Sequence, residues 1–285
     1  MSSLERRRWL SLVAACAGLW VVLYLLAVHT RTGQRLDEAA VVHHRYDRTS
    51  DSDARFLTHS MALFLGAVAV VVALYVGPRW FQLASRVVAV AAAVLGAGVL
   101  RKNVLTRPSL TFDSLYGQSY PSGHAAAAMG LALTMVLVSR SHPVATRVAA
   151  MTLVGVINGL IVFIPMHRPS DVIGGDLLAL AMFGVVALVL PILTAQLGSS
   201  AGFGSTEVGP DLGANSSQLG RVIAAALALA GAGIGASALL GRRSGLTLGQ
   251  FGPGFPVAQA MVVFVGAAIV GVVSLLVRPM PEVTS

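Results

Sequence analysis

Long apolar runs separated by short polar segments set the pattern of this chain. The first run extends from Trp9 to Val28. At roughly twenty residues it is long enough to cross the hydrocarbon core of a bilayer as a helix. Arg6, Arg7 and Arg8 precede it. No small-residue cleavage site stands before His29, and the run is longer than the apolar part of a signal peptide, so the pattern predicts an uncleaved first helix. Further runs cover Ser60 to Val76, about Leu83 to Leu100, Ala125 to Val138, about Val148 to Pro165, about Val172 to Leu193, about Val222 to Leu240, and Val257 to Val277. Gly77 and Pro78 end the second run. Eight helices follow, in an all-α polytopic membrane bundle. A Gly/Ser-rich stretch from Leu197 to about Leu219 reads as a flexible linker. It divides a six-helix core, residues 1–195, from a two-helix transmembrane extension, residues 221–285, with the linker at 196–220. Gly231 and Gly235 form a small-residue pair that predicts close helix packing there.

Composition agrees with this pattern. The chain has 285 residues, of which 55% are hydrophobic and 11% charged, whereas soluble domains carry about a quarter charged residues. The net charge of +8 would point to nucleic acid in a soluble protein. Here it lies largely in membrane-flanking loops and reads as topology plus anion binding. The expected partners are therefore the phospholipid bilayer and a membrane lipid, with no nucleic acid. The single cysteine, Cys16, falls inside an apolar run and has no internal disulfide partner. The polar stretch from His29 to His59 holds Asp37, Glu38, His43, His44, Asp47, Asp51 and Asp53. Such a mixture can bind a metal, but no helical ligand spacing repeats, and the expected reading is a solvated loop.

Two polar knots interrupt the runs. The first collects Arg101, Lys102 (the only lysine in the chain), Arg107 and Pro108, and ends on Pro121-Ser122-Gly123-His124. The second is His167-Arg168-Pro169-Ser170-Asp171. One follows the third run and the other the fifth, so alternating spans place both on one side of the membrane. The arginines before the first run, with Arg79, Arg86, Arg140 and Arg147 in the short turns, predict a cytoplasmic N-terminus and knots on the extracytoplasmic face.

The residue types suit phosphoryl transfer, which needs positive groups around the phosphate oxygens, an in-line nucleophile and a proton donor for the leaving oxygen. Arg107 can clamp a phosphate with two donors. Ser122, Gly123 and His124 open a helix, whose first N–H groups and dipole favour an anion. Gly123 lets backbone approach closely, and the Ser122 hydroxyl adds a donor. His124 and His167 supply two imidazoles. Asp171 lies one helical turn beyond His167. There a carboxylate can hold one ring nitrogen and free the other to attack.

These residues resemble the type 2 phosphatidic acid phosphatase family, the lipid phosphate phosphatases related to the vanadium haloperoxidases. Its motifs are K-x6-R-P, P-S-G-H and S-R-x5-H-x3-D. Arg107-Pro108 matches the end of the first, Pro121 to His124 the whole of the second, and His167 to Asp171 the end of the third. The resemblance spans about residues 1–195. It implies that His167 is the nucleophile of a phosphohistidine, that Asp171 orients it, and that His124 protonates the leaving alcohol and then activates water. Arg107, Ser122 and Gly123 would hold the phosphate, with no metal or other cofactor required. Two positions depart from the family pattern. Leu100 stands where the first motif has lysine, and Leu160-Ile161 where the third has Ser-Arg. Arg168, Arg101 and Lys102 are the candidate replacements.

The leading expectation is an integral membrane phosphatase acting on a lipid or polyprenyl phosphate or pyrophosphate. One alternative is a phosphotransferase that uses the same site with an acceptor alcohol in place of water. Another is a non-catalytic lipid-binding or transport protein on the same scaffold. The paired imidazoles favour catalysis, since binding alone does not need them.

Overall fold

The computed structural model describes residues 3–39, 80–111, 118–138, 143–163, 167–198 and 255–276. Among these residues the fold is helical throughout. The helices are α1 (Ser3–Leu23), α2 (Arg31–Ala39), α3 (Trp80–Val99), α4 (Gly123–Val138), α5 (Pro143–Phe163), α6 (Pro169–Gly198) and α7 (Phe255–Leu276). α1 and α3 each run on into one wide π-helical turn, Tyr24–Val28 and Leu100–Val104. Among the described residues five stretches are long and apolar enough to cross a membrane: Arg6–Val28, Val87–Val104, Val144–Val162, Pro169–Val189 and Pro256–Val273. The chain is a polytopic helical bundle, as its apolar runs predict.

α6 is the axis of the bundle, packing against α1, α3, α4 and α7, with α5 on α4 and α7. Its first turns are buried on nearly every face. Alanines make the close crossings possible: Ala125, Ala126, Ala128 and Ala132 on α4, and Ala179 and Ala181 on α6, are all buried. With lipid outside, no hydrophobic driving force separates one apolar helix from another, and small residues that let backbones approach supply the association. α5 and α7 meet in the same way. A Cβ on Gly155 or Gly159 would stand 3.1 or 3.2 Å from the Val263 side chain. The described residues thus place a close small-residue contact on α5. The predicted pair at Gly231 and Gly235 lies outside them, as does the seventh apolar run; the expected linker begins later than predicted, because α6 continues to Gly198, and the rest of it lies outside the described residues.

The tightest crossing joins α6 to the start of α4. A Cβ on Gly175 would stand 2.3 Å from the Ser122 carbonyl oxygen and 3.0 Å from the Ala125 side chain. Backbone cannot yield as a flexible side chain can, so only glycine fits. The neighbouring Gly174 faces the Tyr120 ring. Tyr120 in turn packs on Trp20 and Tyr24, at ring-centroid distances of 5.2 and 5.4 Å, and donates a 2.8 Å hydrogen bond to the Trp20 carbonyl.

Two expectations need correction. The polar stretch after the first span is not a solvated loop where it begins. Thr30 caps α2, accepting the Gly33 N–H at 3.0 Å, and α2 buries Gln34 and Asp37 at 1% and 6% exposure. A two-turn helix built around polar buried groups carries no apolar periodicity, which is why the pattern missed it. The third span also continues further than its apolar run, so Arg101 and Lys102 sit on the π turn that ends it. The second run (Ser60 to Val76) and His43, His44, Asp47, Asp51 and Asp53 fall outside the described residues.

Replacing Gly175 by valine should destabilise the protein by about 1–3 kcal/mol through overpacking. Gly98→Ala, where a Cβ meets nothing within 4 Å, should not destabilise the protein, since alanine is the better helix former. Thermal unfolding in detergent compares the two. Equal melting temperatures would show that the α4–α6 crossing is looser than described.

Candidate active site

The second knot forms a capped helix start. Pro169 is the first residue of α6, where its missing N–H costs nothing. The Asp171 N–H and the Val172 N–H both reach the Arg168 carbonyl, at 3.0 and 3.2 Å. The Arg168 N–H donates to Asp171 Oδ2 at 3.0 Å, the half of a capping box in which the third helical side chain reaches back to the N-cap N–H. Ser119 donates its hydroxyl to the same oxygen. His167 Nδ1 lies 3.6 Å from Asp171 Oδ2, at ion-pair range and slightly beyond a hydrogen bond. Asp171 is fully buried and His167 is 7% exposed. The carboxylate is therefore fixed from two sides, leaving the imidazole beside it to be steered.

The first knot delivers a second helix start to the same place. The Ser122 N–H donates to the Asp171 carbonyl at 2.8 Å, and the Ser122 hydroxyl oxygen accepts the Ala125 N–H at 3.3 Å. Ser122 is thus the N-cap of α4, as residues of this type favour. The N–H groups of Gly123 and His124 have no acceptor among the described residues. A Cβ on Gly123 would meet nothing within 4 Å. The first turn of α4 therefore offers unpaired donors beside open space, the arrangement that binds anions. The His124 and His167 rings face one another with centroids 5.9 Å apart and planes at 62°.

Arg107 is held from three directions. The Tyr24 hydroxyl accepts the Thr106 N–H at 3.0 Å and donates to the Thr106 carbonyl at 2.7 Å. Gln34 Nε2 donates to the Val28 and Pro108 carbonyls, both at 2.7 Å, and Gln34 Oε1 accepts the Leu110 N–H at 3.3 Å. The Arg107 guanidinium lies 3.6 Å from Asp37 Oδ2. Both its terminal nitrogens are buried without a hydrogen-bond acceptor among the described residues. Unsatisfied cationic donors in a buried site are costly, and an anion relieves that cost.

The two helix starts differ in their charge. Asp37 accepts the Ser170 N–H at 3.2 Å and the Ser170 hydroxyl, so α6 meets its dipole with two carboxylates, Asp37 and Asp171. The start of α4 has none. Asp37 is pushed up from 3.8 to about 6, chiefly by burial and then by the charge of Asp171. The Ser170 hydrogen bonds and Arg107 oppose the rise.

Of the nine residues singled out by sequence, the structure brings together His124, His167, Asp171, Arg107, Ser122, Gly123 and Arg168. Arg168 is 2% exposed, donates from Nη1 to Ser119 Oγ at 3.3 Å and acts electrostatically on Arg107. Arg101 is half-buried and acts electrostatically on His124, while Lys102 is exposed. Ile161, at the arginine position of the third motif, is fully buried in the apolar core, so that position supplies no charge. Sequence reasoning missed Tyr24, Gln34, Asp37, Ser119 and Tyr120. The three-residue spacing of Gln34 and Asp37 on one face of a capped helix was the available signal.

Residues 101–195, one third of the chain, match the PAP2 superfamily, in agreement with the type 2 phosphatidic acid phosphatase motifs. The matched segment runs from the π turn after α3 into the last turn of α6 and contains Arg107-Pro108, Pro121 to His124, and His167 with Asp171. Membership of that superfamily implies phosphatase-type chemistry on phosphate esters. No curated protein and no solved structure matches the chain.

Because Asp37 sits above its ordinary value, the folded protein binds that proton more readily than the unfolded chain does. Its contribution to stability is largest below about pH 4 and is lost as pH rises through about 6. The Arg107 ion pair follows the opposite course, forming as Asp37 ionises. Wild-type kcat/KM for phosphate release should therefore carry an acid limb near pH 6 that Asp37→Asn removes. The variant should also lose roughly 10-fold in kcat/KM above pH 7, the size of one weakened charged contact. An unchanged acid limb in the variant would separate Asp37 from the chemistry.

Proposed function

We propose that the protein is an integral membrane phosphatase that hydrolyses a lipid or polyprenyl phosphate or pyrophosphate through a phosphohistidine intermediate. The observation that carries the proposal is the meeting of the two helix starts. It sets His124 against His167, 5.9 Å apart, beside unpaired N–H groups and the buried donors of Arg107. The apolar helices around this cluster favour a substrate that arrives from the bilayer.

In the first step the free ring nitrogen of His167 attacks phosphorus, and the bond to the leaving oxygen breaks. His124, which burial and then His167 and Arg101 push down to about 4, is protonated as the phosphate anion comes beside it and gives that proton to the leaving oxygen, so the alcohol departs neutral. Asp171 steadies the charge that develops on His167. In the second step neutral His124 takes a proton from water. The resulting hydroxide attacks phosphorus, the P–N bond breaks, and inorganic phosphate leaves with His167 restored. The N–H groups of Gly123 and His124, the Ser122 hydroxyl and Arg107 receive the charge on the phosphoryl oxygens. Arg168 takes the place of the third-motif arginine, and Arg101 acts electrostatically on His124. These groups supply the positive charge without a metal or other cofactor. The cluster opens to the extracytoplasmic face of the cell membrane, on the argument from Arg6, Arg7 and Arg8.

The mechanism predicts that rapid quenching with radiolabelled lipid phosphates traps an acid-labile phosphoenzyme. His167→Ala should abolish both the adduct and turnover. A label retained in the variant, or turnover with no adduct, would remove the covalent step.

The orientation predicts that Lys102→Cys reacts with a membrane-impermeant thiol reagent in intact cells. Lys102 is exposed, and the native Cys16 is 4% exposed. Reaction only after lysis would place the site on the cytoplasmic face.

A further inference from the structure

Away from the phosphate cluster, α5, α6 and α7 enclose a second polar group. Asp176 on α6 and Asn158 on α5 are both 0% exposed. Asn158 Nδ2 donates to Asp176 Oδ2 at 2.7 Å. One oxygen on each side chain, Asp176 Oδ1 and Asn158 Oδ1, remains buried with no hydrogen-bond partner among the described residues. α7 closes over the pair with a glycine. A Cβ on Gly266 would stand 2.6 Å from Asn158 Nδ2 and 3.2 Å from Asp176 Oδ2. Asp176 lies about 10 Å along the helix axis from the start of α6, inside a stretch able to cross a membrane.

No cation answers this carboxyl among the described residues. The elements packed on α6 carry Glu5, Arg6, Arg7 and Arg8 on α1, Arg86, Arg101 and Lys102 on α3, His124 on α4 and Arg147 on α5, all toward helix ends. α7 carries no charged side chain. Among the described residues the one polar side-chain partner of Asp176 is Asn158. A lone ionised carboxylate enclosed this way costs several kcal/mol, and buried groups of this kind neutralise instead. Ionisable residues inside a membrane are functional sites by default.

We infer that Asp176 is a proton-binding site. Its Oδ1 carries the proton at neutral pH and donates it to Asn158 Oδ1. The result is a neutral ring of two hydrogen bonds, acid to amide and amide to acid. A single proton satisfies both orphaned oxygens. An ionised carboxylate would leave the amide oxygen unsatisfied beside a negative charge. The ring joins α5 to α6, and Gly266 seats α7 upon it. The proton thereby ties the last helix to the helix that carries Asp171. The inference stands independently of the phosphatase reading.

Infrared spectroscopy of the full chain in lipid nanodiscs tests it, at pH 8, where Asp37 (about 6) is ionised. A carbonyl band of a protonated carboxylic acid should be present in both sodium and sodium-free buffer, and absent from Asp176→Asn. That variant should keep the wild-type melting temperature, because an amide pair closes the same ring. Asn158→Leu should retain the band at higher frequency, which provides the readout if Asp176→Asn does not accumulate. Carboxylate bands alone at pH 8 would overturn the inference. So would an acid band that appears only when sodium is withdrawn, which would make the pair a sodium site.

Discussion

One backbone hydrogen bond, from the Ser122 N–H to the Asp171 carbonyl at 2.8 Å, joins two helix starts that lie about fifty residues apart in sequence. Everything at the candidate site depends on that contact. It sets the imidazole of α4 beside the imidazole that precedes α6. The contact exists only because the backbones can approach, and they approach only because position 175 has no side chain. The same glycine-and-alanine surface that associates helices in lipid also assembles the chemistry.

Electrostatics then divides the labour between the two helix starts. α6 meets its dipole with Asp171 and Asp37 and is satisfied by the protein itself. α4 is left open, with unpaired N–H groups next to the buried guanidinium of Arg107. The field at the open start favours an anion and that at the capped one does not. The carboxylates on α6 serve a second purpose. Asp171 faces His167, and Asp37 holds Arg107, so each ties one functional side chain to the same helix end.

Much of this arrangement was legible in the sequence. Apolar runs gave the described spans to within a few residues, because bilayer thickness dictates their length. Pro121 to His124 and His167 to Asp171 announced themselves as polar residues at helix starts. The supporting residues were hidden for physical reasons. Gln34 and Asp37 lie on a short helix that buries polar groups, so no hydrophobic period marks it. Tyr24 sits within an apolar run and acts through its hydroxyl on a loop 82 residues away. Asp176 and Asn158 are single polar residues within apolar runs, and only their meeting across α5 and α6 gives them a role.

The account stands or falls on whether both helix starts grip one phosphoryl group. An experimental structure of the protein with orthovanadate, which adopts the five-coordinate geometry of phosphoryl transfer, measures this directly. The account predicts vanadium bonded to a ring nitrogen of His167. Its equatorial oxygens should lie within hydrogen-bond distance of the Gly123 N–H and the Arg107 guanidinium, with His124 at the apical oxygen. Vanadate bound elsewhere, or bound at Arg107 with His167 and His124 both out of reach, would contradict it.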